Sequence, residues 1–531
     1  MLFFNISAVL KKITAAILIV FLITLPAAQA RAVDFDAGPL LEQTRLFLDQ
    51  GQFLECIDAY YQVYQYSRKP KERALGLVRI ADIQALFLDH KEEALDLYLK
   101  ARKEFSSKDI PENAFLNAGM IEYETGRLGR ARESLGSFIK VFPQSFRVST
   151  AQYLLQRIEA DLAGLTPFPK KETTPSEEKP LEAETPLVRV ALNQSEQITL
   201  RFPSEVEVRT ARGDQKLPAG EYCFANLNQK LQLDDQVLGN QLTLIPVNGS
   251  FSWQGRSYKG NAVLKIIKNQ ILLINQLSLE IYLEGVVPKE MLPSWKLEAL
   301  KAQAVCARSY AYYLLRKSED KDYDVAATTA SQVYGGANVG NENTGRAVSA
   351  TRGTILAYNG QPVLTYFHSH SGGILEDASQ VWSGSSLFYY QVKNDDISEK
   401  INPLSWQYLV RNEELVKMLQ KNGFRVQQVT DLTAGEVSSS GRLATVEITT
   451  DSGPLKIRAN SLRTWLGATN MKSVLATILR QEDGYLFEGH GFGHGVGMSQ
   501  WGAQGMAQGG ASYEEILRHY YPGTELKTIY R

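Results

Sequence analysis

A segment rich in proline and charged residues divides this 531-residue chain into two parts with different periodicities. Residues 166–186 read TPFPKKETTPSEEKPLEAETP and contain almost no apolar side chains. Such a composition is typical of a semi-extended linker, which we place at 164–186. Because the chain also exceeds the length at which one hydrophobic core stays single, we expect separate domains on the two sides of this linker.

Three segments before the linker share a turn residue, a Cys or Ala five positions later, and a Tyr or Leu four positions after that. They are Gly51-Cys56-Tyr60, Asp89-Ala94-Tyr98 and Gly126-Ala131-Leu135, and they begin 38 and 37 residues apart. This spacing is close to the roughly 34-residue period of tetratricopeptide helix pairs. We therefore predict an all-α, tetratricopeptide-like domain over 31–163 whose concave face binds a peptide or another protein. A plain helical bundle that acts as a spacer is the alternative.

Short segments of alternating apolar residues follow the linker, separated by Gly, Asn and Asp turns. They include VRVAL (188–192), QITLRF (197–202), QLTLIPV (241–247) and AVLKII (262–267). This pattern predicts an antiparallel β-rich section, which ends in the apolar run ILLINQLSLEIYLEGVV (271–287).

The apolar period then becomes helical. Residues at intervals of three and four form one stripe: Leu297, Leu300, Ala304, Ala307, Ala311 and Leu314. The stripe predicts a helix over 295–318 with Ser294 as its N-cap. Glu290 then lies in the connection just upstream, and Gln303 and Arg308 flank the stripe. We predict that 187–531 forms one α+β domain.

Composition excludes some partners. The formal net charge is -1, so no basic surface for phosphates is expected and we predict no nucleic-acid partner. Cys56, Cys223 and Cys306 have no spacing typical of a metal clip, and we interpret them as buried thiols and not as a disulfide framework.

The first thirty residues are typical of a secretory signal peptide. Lys11 and Lys12 precede an apolar run from Ile13 to Leu25, and Ala28-Gln29-Ala30 has the form of a cleavage site. We expect export to the cell envelope, either the periplasm or the extracellular wall. An uncleaved membrane anchor is the alternative, although the run is shorter than the roughly 20 residues that span a bilayer.

Five of the six histidines lie in the last third of the chain: His368, His370, His490, His494 and His519. Two glycine-rich segments, YFHSHSGG (366–373) and GHGFGHGVGMSQWGAQG (489–505), contain four of them and would offer backbone amides to a polar substrate. A zinc hydrolase is one hypothesis. The carboxylate or cysteine ligand that it needs has no obvious place, and Glu376 and Asp377 are candidates by proximity only.

The segment EGVVPKEMLPSW (284–295) holds the strongest candidate for an acid. A carboxylic acid that donates a proton near neutral pH needs a raised pKa, which an apolar surround provides. Met291, Leu292 and Trp295 would supply such a surround for Glu290, whereas the ammonium group of Lys289 would lower the pKa. A solvated glutamate in a turn is the alternative. Two nearby glutamates, Glu280 and Glu284, are alternative candidates for the acid.

Five segments together are specific: LSLEIYLEGVVPKEMLPSWKLEALKAQAVCARSYAYY (277–313), YFHSHSGG (366–373), VWSG (381–384), GFGHGVGMSQWGAQGMA (491–507) and YEEILRHYYPGTEL (513–526). In this order they resemble the stage II sporulation protein D family, the SpoIID/LytB domain, over residues 187–531. The resemblance implies a lytic transglycosylase that acts on peptidoglycan glycan strands without stem peptides, with Glu290 as the catalytic acid. The main alternative is a non-catalytic glycan-binding enhancer of an N-acetylmuramoyl-L-alanine amidase, since one branch of the family is thought to assist such an enzyme.

One carboxylate is enough for this chemistry. Ordinary glycoside hydrolysis uses two carboxyl groups. If the muramyl 6-hydroxyl is the nucleophile, it is already tethered beside the anomeric carbon, and an effective molarity of roughly 10⁵ M or more replaces the second group. Glu290 would protonate the leaving oxygen and take the proton of the 6-hydroxyl, which gives a 1,6-anhydro product.

Other residues in the matching segments are candidates for binding the glycan: Gln303, Arg308, His368, Ser369, Ser371, His494, Gln500 and Trp501. Trp501 and Trp382 would stack on sugar faces. Structural roles are the alternatives, such as bracing of the helix by Arg308. Some family members hold zinc with the histidine that matches His368 and nearby cysteines. No cysteine follows Gly373 in this chain, so we predict neither a metal nor a cofactor. The expected partners are glycan strands and, on the helical domain, a protein such as an amidase.

Overall fold

The computed structural model describes nine stretches of the chain: 34–49, 53–86, 88, 90–145, 147–162, 184–318, 321–327, 332–381 and 389–530. The predicted signal peptide (1–30), Trp382 and linker residues 164–183 lie outside the described residues, as do Gly51 and Asp89 of the predicted repeat. Within the described stretches, no helix combines the length and the apolar character that crossing a bilayer requires.

The described part of the N-terminal region is helical, as predicted. Its helices are α1 (Gly38–Asp49), α2 (Phe53–Tyr66), α3 (Pro70–Leu86), α4 (Lys91–Glu104), α5 (Asn113–Glu124), α6 (Leu128–Val141) and α7 (Val148–Leu162). Consecutive helices pack against each other. The small residues of the repeat, Cys56, Ala94 and Ala131, are fully buried on α2, α4 and α6. Gly119 of α5 makes the same kind of close approach, because a Cβ there would lie 2.7 Å from Leu135 Cγ.

Two antiparallel sheets form the predicted β-rich section. Their strands are β1 (Leu187–Ser195), β2 (Gln197–Phe202), β3 (Val206–Thr210), β4 (Gly213–Leu217), β5 (Gly220–Leu227), β6 (Lys230–Leu233), β7 (Gln236–Gly239), β8 (Gln241–Pro246), β9 (Ser250–Trp253), β10 (Arg256–Lys259), β11 (Asn261–Ile267) and β12 (Gln270–Ser278). One sheet has the order β1-β12-β11-β8-β3-β4, with β13 (Val325–Ala326) added in parallel at the β1 edge, and the other has the order β10-β9-β2-β5-β6-β7. Their buried side chains share one core.

The apolar run 271–287 does not remain a strand. β12 ends at Ser278, whose hydroxyl accepts the amide of Ile281 at 3.4 Å and caps helix α8 (Leu279–Glu290). Glu290 is therefore the last residue of a helix and does not lie in an open connection. The strand reading failed because a short apolar run buried on several sides has the same composition in a strand and in a helix.

The helix predicted over 295–318 is present as α9 (Leu297–Arg316). Its N-cap is Lys296 and not Ser294, and the amide of Lys296 donates to Gln504 at 2.9 Å. The predicted apolar stripe is buried apart from the partly buried Leu297. Gln303 and Arg308, expected at the edge of the stripe, are 0% exposed. Helix α9 is thus buried on nearly all sides, as the centre of the domain.

The remaining elements surround α9 and form a second lobe. They are α10 (Glu342–Ala350), β14 (Thr354–Tyr358), β15 (Gln361–Pro362), β16 (Phe367–His368), α11 (Ala378–Val381), α12 (Asp396–Ile401), β17 (Ser405–Arg411), α13 (Asn412–Lys421), β18 (Val429–Ala434), β19 (Thr445–Thr450), β20 (Gly453–Arg458), α14 (Ala459–Leu466), β21 (Ala476–Gln481), β22 (Gly484–His490), β23 (Met498–Ser499), α15 (Gln500–Gln508), α16 (Tyr513–Tyr520) and β24 (Glu525–Thr528). Helix α9 packs against α10, α15, α16 and β14. The second lobe, 405–490, contains the sheets β17-β22-β21 and β18-β19-β20 and has its own core.

The helical region packs on this second lobe. The Tyr66 hydroxyl donates to the carbonyl of Lys456 at 2.6 Å and accepts its amide at 2.8 Å. Asp58 pairs with Arg458 at 3.0 Å. The first helices of the chain and the second lobe therefore share one apolar core.

The three cysteines are free thiols. Cys56 and Cys306 are buried as predicted, but Cys223 is exposed. The prediction was wrong for Cys223 because alternate side chains of a half-buried strand, here β5, face solvent.

Candidate functional site

Glu290 lies where three elements of the chain meet. Its Oε1 accepts the backbone amide of Val333 at 3.0 Å. Its Oε2 lies 3.5 Å from Nε2 of Gln500, the first residue of α15. The same Nε2 approaches Oε1 of Gln303 on α9 at 3.4 Å. The structure thus brings together three of the predicted site residues, Glu290, Gln303 and Gln500, which we name the Glu290 cluster.

Burial raises the pKa of Glu290, and the hydrogen bonds from Val333 and Gln500 oppose this only in part. Among the described residues, no cation forms an ion pair with its carboxylate, and the neighbouring Lys289 is exposed. Two buried tyrosines close to the carboxylate, Tyr282 and Tyr310, have raised pKa values, to which the Glu290 charge contributes after burial itself. Glu290 therefore keeps its proton to a higher pH than an ordinary glutamate, as a general acid requires.

Glu280, the first alternative candidate for the acid, forms all of its hydrogen bonds with residues of the protein itself. It accepts Nε and Nη2 of Arg308 at 2.8 and 2.9 Å, the hydroxyl of Tyr530 at 2.5 Å and the amide of Gly353 at 3.3 Å. Burial alone would raise the pKa of Glu280, but the hydrogen bonds and charge of Arg308, with those of Tyr530 and Gly353, lower it overall. A carboxylate held ionised in this way is not suited to donate a proton.

The ion pair between Glu280 and Arg308 also shows that the predicted role of Arg308 in binding the glycan was wrong. The residue is 0% exposed, and its guanidinium also donates to the hydroxyl of Thr351 and to the carbonyls of Ala304, Val348 and Thr354. Arg308 has no access to a glycan in this structure, so its role is to brace the helices. The second alternative candidate for the acid, Glu284, forms a surface ion pair with Lys259 at 2.9 Å.

The predicted histidines form a packed, neutral pair. The ring centroids of His368 and His494 lie 5.5 Å apart. Nδ1 of His368 donates to the carbonyl of Val496, and Nδ1 of His494 accepts the amide of Val496, both at 3.0 Å. Burial, followed by nearby positive charge, lowers the pKa of His368 well below its ordinary value and that of His494 to about 3. Neither imidazole carries a charge at neutral pH.

The described residues around His368 and His494 do not provide the set of ligands that a metal ion needs. Within the part of the chain that the structure describes, no three His, Cys, Asp or Glu side chains converge as ligands. The residues around His368 therefore do not reproduce the zinc site that the resemblance implies for some family members.

The two serines of the YFHSHSGG segment differ. Strand β16 pairs in parallel with β23, and the carbonyl of Ser369 then accepts the amide of Trp501 at 3.1 Å, which places Ser369 beside the start of α15. Ser371 is fully buried, and its hydroxyl bonds to that of Ser398 at 2.7 Å. Ser369 is partly buried in this position, whereas Ser371 is fully buried and does not fit the predicted binding role.

Trp501 forms an aromatic pair next to the cluster. Its ring centroid lies 4.7 Å from that of Trp295 at an angle of 57°, and both rings are partly buried. Sequence reasoning treated Trp295 only as apolar surround and missed this pair. It also missed Val333, because a backbone amide leaves no signal in the sequence. Tyr310 was detectable, since it lies on the same face of α9 as Gln303, two turns later.

A buried central helix surrounded mainly by other helices, two antiparallel sheets, and a partly buried glutamate without a counterion among the described residues define an α+β domain with a candidate acid–base site. A family model described as stage II sporulation protein matches residues 267–358, which include Glu290. A model for a domain of unknown function matches residues 391–497. The chain belongs to the stage II sporulation protein D family.

Curated relatives agree with this assignment. An uncharacterized protein of Brachyspira hyodysenteriae (strain ATCC 49526 / WA1) is 34% identical over 277 residues, 52% of this chain and 74% of that protein. Stage II sporulation protein D of Bacillus subtilis (strain 168) is 30% identical over 48% of this chain and 75% of its own length. The amidase enhancer of the same organism is 32% identical over 62% of this chain, which spans 53% of that relative's length.

Among solved structures, the first TPR of Spaghetti (RPAP3) bound to an HSP90 peptide is similar over 24% of this chain and 98% of its own length. The identity is 19% and the TM-score is 0.20, so this match carries no argument. Membership of the family gives the protein a cell-wall-related role.

Proposed function

We propose that this protein is a peptidoglycan lytic transglycosylase that cleaves the MurNAc–GlcNAc bond of glycan strands without stem peptides. The observation that supports this most is the state of Glu290, a partly buried carboxyl group with a raised pKa and no ion-pair partner among the described residues. The family relatives support a role in the cell wall and leave the reaction open.

The reaction needs one proton donor that becomes one proton acceptor. The protonated Glu290 carboxyl donates its proton to the glycosidic oxygen, and the bond from the muramyl C1 to that oxygen breaks. The muramyl 6-hydroxyl forms the new bond to C1 and gives its proton to the Glu290 carboxylate. The products are a 1,6-anhydromuramyl end and a GlcNAc with a free 4-hydroxyl, and no water is consumed.

The cluster assigns different tasks to the two carboxyl oxygens. Oε1 is held by the Val333 amide at 3.0 Å. The contact of Oε2 with Gln500 is longer, at 3.5 Å, so Oε2 is the oxygen that carries the proton. Nε2 of the buried Gln303 has no hydrogen-bond partner in the described structure and is a donor for an acetamido oxygen. Trp295 and Trp501 offer an aromatic surface for a sugar ring.

We further infer that the helical region is tetratricopeptide-like and docks a protein partner, and that the chain is exported to the cell envelope. The 38- and 37-residue spacing and the buried small residues of α2, α4 and α6 support the first inference, and the sequence of residues 1–30 supports the second.

A second candidate is a non-catalytic enhancer of an amidase, which the 32% identity to an amidase enhancer favours. The two candidates differ in one assay. The purified full-length chain is incubated with peptide-free glycan strands, and the products are examined by mass spectrometry for anhydromuramyl ends. Ends formed by the wild type and lost in Glu290→Gln support the enzyme. Strands left intact by both, together with a faster amidase in their presence, support the enhancer.

A further inference from the structure

The amide that holds Glu290 comes from a segment without regular secondary structure. Residues 332–336 belong to neither a helix nor a strand, and a short 3₁₀ helix, Ala337–Val339, follows them. Helix or sheet hydrogen bonds therefore do not set the direction of the Val333 amide, and yet this amide lies 3.0 Å from Oε1 of Glu290. The side chains on either side of Val333 explain how the amide is fixed in place.

Gln332, the residue before Val333, is buried and bound at both ends of its side-chain amide. Its Oε1 accepts the hydroxyl of Tyr282 of α8 at 3.1 Å. Its Nε2 donates to the carbonyl of Ala307 of α9 at 3.3 Å. Because one end of the amide accepts and the other end donates, the two hydrogen bonds fix both the position and the rotation of this side chain.

Tyr334, the residue after Val333, is held as well. Its hydroxyl donates to Oδ1 of Asn275 of β12 at 2.8 Å, and Asn275 is itself fully buried. The ring centroid of Tyr334 lies 5.3 Å from that of Tyr282. Val333 therefore lies between two buried neighbours that are both hydrogen-bonded to other elements of the domain.

The segment 332–336 also lies close against the helix that carries Glu290. The amide of Gly335 donates to the carbonyl of Gly285 of α8 at 3.0 Å. A Cβ on Gly285 would lie 2.5 Å from Cε2 of Tyr334, so a larger residue there would displace the segment. The contacts reach from Tyr282 to Glu290, about 12 Å along the helix axis. Helix α8 thus determines where the segment lies, and the segment in turn determines where Oε1 of Glu290 lies.

The Val333 amide has two effects on Glu290. A carboxyl group that is anchored through Oε1 keeps Oε2 in a fixed direction, and proton transfer in the reaction depends on such a defined geometry. The amide also stabilises the charged form, so its loss would raise the pKa of Glu290 further. The titratable groups that interact with this charge include Tyr282 and Tyr310, which burial keeps neutral.

We propose that Gln332 is a positioning residue for the proposed proton donor. Through its two hydrogen bonds it holds the Val333 amide on Oε1 of Glu290, so that Oε2 keeps the direction in which the proton is transferred. Gln332 itself is buried and acts on the glycan only through Glu290. The catalytic consequence of this inference rests on the proposed function, whereas the effect on the Glu290 carboxyl group does not.

The first measurement is the rate of cleavage of peptide-free strands by the full-length chain, over a range of strand concentrations and pH values. Gln332→Ala removes both hydrogen bonds, and Tyr282→Phe removes only one. We expect kcat to fall about 10²-fold in Gln332→Ala, the cost of a misplacement of roughly 1 Å, and less in Tyr282→Phe, with KM unchanged in both. The matched control is Tyr66→Phe, which removes a buried hydroxyl bonded to Lys456 and is expected to change neither constant.

The second measurement follows Glu290 without cleavage. The free energy of unfolding in urea is measured over a series of pH values for each variant with and without Glu290→Gln, and the difference reports the pKa of Glu290. Because this pKa is raised, the contribution of Glu290 to stability falls between pH 4.5 and that pKa. We expect this interval to end about one pH unit higher in Gln332→Ala, a tenfold gain in proton affinity from the loss of one hydrogen bond to the charged form. It is expected to end at an unchanged pH in Tyr66→Phe.

A titration of Glu290 that stays unchanged in both Gln332→Ala and Tyr282→Phe overturns the proposal, whether or not the chain cleaves strands. A higher KM with unchanged kcat overturns it too, because Gln332 would then act on the binding of the glycan. If Gln332→Ala does not fold, Tyr282→Phe decides, since it removes one oxygen atom and keeps the ring in the core. A shifted titration in a chain that forms no anhydromuramyl ends would leave the positioning role standing while the proposed function fails.

Discussion

Helix α8 carries a buried or partly buried glutamate near each end, and the protein uses the two in opposite ways. Glu280, at the start, is neutralised by Arg308 and has a lowered pKa. Glu290, at the end, meets only neutral donors and has a raised pKa. Burial raises the pKa of both carboxyl groups, and the guanidinium of Arg308 is the largest cause that opposes it at Glu280, ahead of Tyr530 and Gly353. Within α8, the carboxylate paired with a cation therefore stabilises the fold, and the one without a cation has the raised pKa that the proposed proton donor needs.

The largest expected effect concerns the Glu290 end. Glu290→Gln removes the proton donor and keeps the size and the hydrogen bond from Val333. We expect the rate of strand cleavage to fall by about 10² to 10⁴, the usual contribution of general acid–base catalysis, while the unfolding midpoint in urea stays close to that of the wild type. Quantified anhydromuramyl ends and a urea titration check both parts. A variant that loses stability together with activity would assign Glu290 a structural role like that of Glu280.

At the Glu280 end of α8, the expected effect is on the stability of the fold. Arg308→Ala leaves a buried carboxylate without its cation, which costs roughly 3–5 kcal/mol of unfolding free energy. Arg209→Ala breaks only the exposed pair with Glu207, and we expect it to leave the free energy of unfolding almost unchanged. Equal losses in the two variants, measured by urea unfolding, would mean that the Glu280–Arg308 pair contributes no more than a surface pair.

A smaller effect distinguishes the two ends by the pH dependence of stability. The folded-state pKa of Glu290 lies above its ordinary value of 4.5, so its contribution to stability falls as the pH rises through the interval between the two values. The pKa of Glu280 lies below the same ordinary value, so its contribution is present above 4.5 and is lost as the pH falls through the lowered pKa. We expect Glu290→Gln to flatten the stability profile in the interval that begins at pH 4.5 and ends at the raised pKa, and Glu280→Gln to flatten it below pH 4.5. Urea unfolding of both variants at a series of pH values checks this.

The smallest effect concerns the neutral donor at Glu290. The Gln500 amide lowers the pKa of Glu290 slightly, so Gln500→Ala raises that pKa further and moves the alkaline limb of the activity profile to higher pH. We expect the rate below this limb, where Glu290 is protonated, to fall about tenfold at most, the value of one ordinary hydrogen bond. A profile that keeps its position in Gln500→Ala would show that the 3.5 Å approach does not act on the carboxyl group.

The sequence predicted those features that local periodicity encodes. The apolar stripe of α9 and the alternation in the β-rich section are present because burial repeats with the period of each element. The run 271–287 carries no such period, so its change from β12 to α8 was missed. That change moves Glu290 from a turn to the last residue of a helix.

The site was predicted in part for the same reason. The Glu290 cluster joins residues of α8, α9 and α15 with a backbone amide, and only the family resemblance placed Glu290 and Gln500 in one site. The structural role of Arg308 depends on its ion pair with Glu280, which also accepts the hydroxyl of Tyr530, and both residues are far from Arg308 in the sequence. Long-range pairing of buried charges has no local pattern, and therefore Arg308 was mistaken for a ligand-binding residue.

Cleavage in water enriched in ¹⁸O tests the central claim most directly. If Glu290 is the proton donor and the muramyl 6-hydroxyl is the nucleophile, the wild type forms 1,6-anhydromuramyl ends that contain no ¹⁸O, and Glu290→Gln forms none. Reducing muramyl ends that carry ¹⁸O, or strands that the wild type leaves intact, would contradict the account.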